Sequence, residues 1–212
     1  MSTESAGEAR DCAATAMKSL TRRCMVGRVV VGGALLTTGV VAGLPGSAEA
    51  AKPRKPDRMF TQPGDRLQLI KGEAQGEALR PDMLTTGARP VEVFPLDPAS
   101  GVLRRRNRLN RILALRLDPA EMDDQTRARS AEGVLAFSAL CTHRACTIKS
   151  WMAEERHLRC HCHLSEFAAL SGGSVRGGPA RRQLPMVPLG LDGEGFIVAL
   201  DGFTRKPGPA KT

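Results

Sequence analysis

Short stretches of this chain alternate apolar with polar positions. Leu67 to Lys71 (Leu-Gln-Leu-Ile-Lys) and Val91 to Phe94 (Val-Glu-Val-Phe) follow the two-residue period of a half-buried strand. Arg111 to Leu117 (Arg-Ile-Leu-Ala-Leu-Arg-Leu), Gly133 to Ser138 and Phe196 to Leu200 extend the series. Gly, Pro, Asn and Asp punctuate the spaces between them as turns. Pro119 to Ser130 is charged and predicts one short helix or an exposed loop. No internal repeat is visible. The pattern predicts a mainly β domain, an antiparallel sandwich or small barrel.

The remaining apolar run has a different character. Val29 to Leu44 is glycine-rich and follows Thr21-Arg22-Arg23-Cys24-Met25-Val26, which resembles a twin-arginine export motif. Ser47-Ala48-Glu49-Ala50 then offers an A-x-A cleavage site. Sixteen residues rising ~1.5 Å each reach only ~24 Å, short of the ~30 Å hydrocarbon core of a bilayer. Extending the run back to Cys24 reaches that length but takes in Arg28. Residues 1–50 are therefore expected to be a signal, and a membrane anchor only if retained. Residues 51–61 begin Ala-Lys-Pro-Arg-Lys-Pro and predict a linker, with one domain over 62–207 and a tail over 208–212.

Composition bounds this picture. The 212 residues, 42% apolar and 25% charged, make room for a leader and one domain of ordinary size. Beyond residue 50 the chain holds 26 basic and 18 acidic side chains, about +8. The densest basic run is Arg104-Arg105-Arg106-Asn107-Arg108, with Arg111 nearby. It is expected to be a solvated loop; the alternative is docking to an acidic partner or an anionic membrane. Six Phe and one Trp supply little stacking surface, so nucleic acid is not an expected partner.

Candidate chemistry is concentrated in two boxes. Cys141-Thr142-His143-Arg144-Ala145-Cys146 is followed, after thirteen residues, by Cys160-His161-Cys162-His163. Together they spell C-x-H-x16-C-x-x-H with one further cysteine beside each half. A structural zinc site would use four such ligands, but its usual pairs are C-x2-C or H-x3-H. A redox dithiol is disfavoured because no isolated C-x-x-C stands near a βαβ pattern. The asymmetric spacing fits a Rieske 2Fe-2S centre, in which two cysteines bind one iron and two histidines the other. That pattern assigns Cys141 and Cys160 to one iron and His143 and His163 to the other. His161 rivals His163, but would repeat the C-x-H spacing.

The chain resembles the disulfide-bearing branch of the Rieske family. The likeness is carried by CTHRAC, by CHCHLSEF (Cys160 to Phe167) and by Gly177-Gly178-Pro179-Ala180. It extends loosely over residues 62–207, including Gly87 to Val91 and the closing strand Gly195 to Leu200. The resemblance implies a cluster-binding subdomain, about 139–182, inserted between late strands. It implies a disulfide between Cys146 and Cys162, a covering loop through Gly178 and Pro179, and a hydrogen bond from Ser165 to a cluster sulfur. Phe167 stands where high-potential members have a tyrosine, so a lower potential is expected. Leu164, Ser165 and Phe167 look most like the arsenite oxidase small subunit, with the cytochrome bc complex Rieske subunit next. Arg144 occupies a position usually apolar in the latter.

These readings converge on a function. Replacing two thiolates by imidazoles raises the potential towards roughly −150 to +300 mV, suited to one-electron transfer in oxidising pathways. Four histidines, three of them in the boxes, leave too few ligands for the second iron site of a Rieske oxygenase. The twin-arginine route exports folded proteins, which suits a cluster assembled in the cytoplasm. An oxidising destination would also let Cys146 and Cys162 stay paired. The expected protein is a periplasmic electron-transfer subunit without a substrate-converting site of its own. Its expected partners are a larger redox subunit, molybdenum-containing by that resemblance, and an acceptor such as cytochrome c. The alternatives are a quinol-oxidising bc complex subunit and an independent periplasmic carrier.

Overall fold

The computed structural model describes residues 55–210. The expected signal over 1–50, the first part of the linker and the last two residues lie outside the described residues. Within them, β1 (Arg66–Leu69), β2 (Val91–Leu96), β3 (Ile112–Arg116) and β4 (Val134–Ser138) form a consecutive antiparallel series. β5 (Ser150–Met152), β6 (His157–Arg159), β7 (Glu166–Ala168) and β8 (Ser174–Gly177) form a separate antiparallel sheet. β9 (Met186–Val187), β10 (Leu189–Leu191) and β11 (Ile197–Ala199) return to the first one.

The larger sheet runs β10-β11-β1-β2-β3-β4-β9. Its two edge strands, β9 and β10, are separated in sequence by Pro188 alone. The sheet therefore curls until its edges meet, a nearly closed antiparallel barrel. The five stretches expected to be strands coincide with β1, β2, β3, β4 and β11. Pro119 to Ser130 holds a 3-10 turn at Pro119–Glu121 and one α turn, α1 (Asp124–Arg127), capped by the Asp123 carboxylate. It is less exposed than its charge suggests, because Met122 and Thr126 are buried.

The middle strands carry two cores. On β3, Ile112 and Ala114 face the barrel interior, with Leu67, Val93, Val134 and Ile197. Leu113 and Leu115 face the other way, packing with Leu135, Phe137, Leu158, Phe167 and Met186. β4 divides likewise: Val134 and Ala136 inward, Leu135 and Phe137 outward. A strand buried on both faces loses its polar positions, which is why β3 and β4 are nearly continuous apolar runs. The outward core is the floor on which the four-stranded sheet sits. That sheet lies in sequence between β4 and β9, which pair with each other at Ala136↔Val187 and Phe137↔Met186.

One member of the basic run is not on the surface. Arg104 is 5% exposed and holds Asp65 through Nε (2.7 Å) and Nη2 (2.9 Å). The bidentate fork and a further bond to the Pro56 carbonyl satisfy the buried charge.

Candidate metal centre

The two boxes form a pair of matched six-residue loops. In loop 1, residues 141–146, the Cys141 N–H donates to the Cys146 carbonyl (2.9 Å), and Leu140 bridges Thr147 below it. In loop 2, residues 160–165, the Cys160 N–H donates to the Ser165 carbonyl (2.8 Å), above the last β6–β7 pair, Arg159↔Glu166. The fifth residue of each is left-handed without being glycine: Ala145 at φ 56° and Leu164 at φ 58°. Such a backbone costs about 1–3 kcal/mol and persists where surrounding contacts impose it. Each loop thus starts with a buried cysteine and turns back through a strained residue.

The loops bring like donors together. Cys141 and Cys160, each 1% exposed, have interacting sulfurs. Burial pushes the Cys141 thiol up; the His143 N–H and the Ser165 hydroxyl oppose the rise, and Cys160 adds to it. The rings of His143 and His163 meet edge to face with centroids 4.7 Å apart. The half-buried His143 has its pKa lowered by burial, then by His163 and Arg144. His163 and His161 are exposed, and it is His163 that meets His143.

Cys146 and Cys162 are free thiols in this structure, one half-buried and one exposed. A hydrogen bond with Cys146 is the main reason the Cys162 thiol is pushed up to about 12. The sulfurs of Cys146, Cys160 and Cys162 all lie within 4.8 Å of one another. Proximity alone would nominate that trio as metal ligands; burial and the histidine pairing favour Cys141 with Cys160.

The neighbours close the site from behind. Ser165 is fully buried, and its hydroxyl oxygen accepts from the Ala180 N–H at 3.2 Å. Gly178, at φ 75°, passes so close to loop 2 that a Cβ would lie 2.6 Å from the Leu164 carbonyl oxygen and the Ser165 nitrogen. Pro179 is exposed beside it. Phe167 is fully buried in the apolar cluster that contains Cys141 and Cys160. Arg144 is exposed, and Leu164 is 52% exposed.

Several contacts were not foreseen from sequence, most because they join distant segments. The Thr142 hydroxyl donates to the Arg182 carbonyl at 2.6 Å. Arg182 Nη2 in turn donates to the carbonyls of Lys206 (3.0 Å) and Gly208. Trp151 Nε1 donates to the Gly87 carbonyl at 3.2 Å, tying β5 to the Gly87 to Val91 loop. His157, the histidine outside the boxes, faces Glu166 across β6 and β7 at 3.8 Å.

The donors fit a mixed thiolate and imidazole cluster. Two buried thiols adjoin, two imidazoles adjoin, and the buried Nδ1 of His143 has no hydrogen-bond partner. A buried nitrogen without a partner is unfavourable unless something coordinates it, and a metal is the group that neutral imidazole takes. Fold and donors together define an iron–sulfur centre of two hairpin loops on an antiparallel β scaffold.

Comparison with known proteins specifies the type. Residues 121–188 match the Rieske 2Fe-2S domain, so the chain carries a Rieske domain with its Rieske-type cluster. A Streptomyces lividans cytochrome bc1 complex Rieske iron-sulfur subunit is 36% identical over 100 residues, 47% of this chain and 59% of that protein. The Streptomyces coelicolor counterpart is also 36% identical over 100 residues, 28% of its length. A protein described as a candidate respiratory nitrate reductase Rieske subunit in Haloferax mediterranei is 29% identical over 155 residues, 72% of this chain and 66% of that one. The chain thus spans less than two thirds of each relative. The soluble domain of Rieske protein II from Sulfolobus acidocaldarius aligns at 34% identity over 32% of this chain and 40% of that one, with a TM-score of 0.31.

Proposed function

We propose that this chain is the exported one-electron transfer subunit of a larger oxidoreductase, similar to the arsenite oxidase small subunit. The observation that carries the reading is the pairing made by the matched loops, thiol to thiol and imidazole to imidazole. Cys141 and Cys160 hold one iron, and His143 and His163 the other. When bound, the cluster takes up and releases one electron at a potential in the range of roughly −150 to +300 mV.

The chain's own residues tune and expose it. The Ser165 hydroxyl donates towards the Cys141 sulfur, which stabilises added negative charge there. Phe167 has no donor to add, which lowers the potential relative to proteins with tyrosine at that place. The exposed His163 offers an edge to a partner at the surface. Arg144, charged and exposed beside His143, suits a polar docking face better than an apolar quinol pocket. Cys146 and Cys162, whose sulfurs are neighbours, pair as a disulfide after export by the twin-arginine route to the periplasm. The larger subunit, molybdenum-containing, performs the substrate chemistry, and a cytochrome c takes the electrons onward.

A second reading, the Rieske subunit of a cytochrome bc complex, is favoured by the names of the Streptomyces relatives. Purification of the chain with its native partner separates the two. Molybdenum without b-type haem in the complex supports the first reading. A b-type haem subunit together with quinol oxidation overturns it in favour of the second.

A further inference from the structure

Beside loop 1 the chain builds a surface that neither the boxes nor the Rieske-matching span contains. Thr204 docks on β9: its N–H donates to the Met186 carbonyl (2.7 Å) and its hydroxyl oxygen accepts from the Met186 N–H (3.1 Å). Arg182 then grips the carbonyls of Lys206 and Gly208. Residues 204–208 become a strap along loop 1, with Pro207 and Gly208 buried. A Cβ on Gly208 would sit 3.6 Å from that of Ala145. From the other side, Arg108 Nη2 donates to the Ala145 carbonyl at 3.2 Å.

Leu109 and Phe60 line two adjoining hollows between the strap and this arginine segment. Their basic residues are Arg205 and Lys206 in one, and Lys55, Arg58 and Arg106 in the other. Among the described residues, no carboxylate lines either hollow. Arg106 has Asp57 at 3.5 Å; the other four make no ion pair among the described residues. Elsewhere Arg66, Arg104 and Arg111 are each held by a carboxylate.

We infer that this groove is the docking surface for an acidic redox protein, whose carboxylates meet Arg58, Arg205 and Lys206 while its redox centre is brought over loop 1. The inference rests on the electron-transfer reading above. Unpaired charges of one sign beside a concave apolar floor attract and orient an oppositely charged partner. The concavity suits a protruding protein surface and not the face of a bilayer. Contacts to Ala145, two residues from His143, place the groove next to one of the cluster's histidines. With the cluster bound at Cys141, Cys160, His143 and His163, this placement would let one electron pass to a ferric haem of the partner, the cluster being oxidised and the haem reduced by one electron each.

The test uses the holoprotein and a probe whose charge can be inverted. Isothermal calorimetry measures binding of succinylated cytochrome c, which is acidic, and of unmodified basic cytochrome c, at low and high ionic strength. The acidic form binds and the basic form does not. Arg205→Glu with Lys206→Glu weakens binding at low salt by about tenfold or more, and salt erases the difference. The same charge change at Arg127 and Arg129, outside the groove, weakens it by less than about threefold. Thermal unfolding of both variants checks that the fold is kept.

Equal weakening by the two double variants would reduce the effect to net charge and overturn the docking surface. So would binding of phosphatidylglycerol vesicles, but not of the acidic cytochrome, through Arg205 and Lys206. Stopped-flow reduction of the bound haem tests the underlying reading separately. Binding without haem reduction would sink the electron-transfer function and leave the docking surface standing.

Discussion

The Ser165 hydroxyl holds the Cys141 pKa down against the effect of burial, and Phe167, two positions on, shares the apolar cluster of Cys141 and Cys160 without offering a donor. Removing the hydroxyl in Ser165→Ala is expected to lower the reduction potential by roughly 40–90 mV, the one-electron equivalent of a hydrogen bond of ~1–2 kcal/mol. Phe167→Tyr is expected to raise it. Protein-film voltammetry measures both, and a Ser165→Ala potential unchanged from wild type would remove this hydroxyl from the account. His143 carries a pH dependence of its own. Its folded pKa lies below 6.5 through burial, so the unfolded chain takes the proton first. Stability of the metal-free protein is then fully present above pH 6.5 and is lost as pH falls towards the depressed value. Melting temperatures across that window are expected to fall on acidification, and to fall less in His143→Gln. At this scale the spacing of cysteines and histidines was legible because ligand sets constrain sequence directly. The side chains behind them were legible only through family resemblance, because a hydrogen bond to sulfur leaves no periodic trace.

Strands β3 and β4 serve the barrel with one face and the metal centre with the other. Phe137 is fully buried on the outward face, in one core with Phe167, Cys141 and Cys160. Phe137→Ala is expected to destabilise the protein by ~3–5 kcal/mol in denaturant titration and also to reduce cluster retention. Val134→Ala, on the barrel face, should leave retention per folded molecule unchanged. Iron content of the folded fraction checks both, and equal retention in the two variants would deny that the outward core supports the loops. The strands of the larger sheet were readable where four or more residues kept a pattern, as in β1 to β4. β5, β6 and β7 were not, because three residues each give no period and β5 has no buried position. β9 and β10 are broken up by Pro185 and Pro188. β9 is placed by pairing with β4, far back in the sequence, and β10 by a short hairpin with β11.

Across the described residues, a curled sheet carries the cluster hairpins outside one wall, and the strap over residues 204–208 runs along loop 1. Charge is arranged at this scale too: Arg104 is buried against Asp65, 39 residues away, while Arg58, Arg205 and Lys206, which make no ion pair among the described residues, line the hollows beside the strap. The run Arg104 to Arg108 looked uniform because sequence does not show which arginine meets a carboxylate. Cutting the chain after Thr204 would remove the Arg182 contacts to Lys206 and Gly208. The truncated protein is expected to keep its fold while losing its cluster faster to a chelator; an unchanged loss rate would show that the strap does not protect loop 1. The central claim is that two thiols and two imidazoles from the matched loops hold one 2Fe-2S cluster. Pulsed electron paramagnetic resonance of the natively matured, dithionite-reduced protein tests it most directly. The account predicts a Rieske signal coupled to two nitrogen nuclei, reduced to one coupling or lost in His163→Cys. A reduced sample containing zinc, or a cluster signal with no nitrogen coupling, would contradict it.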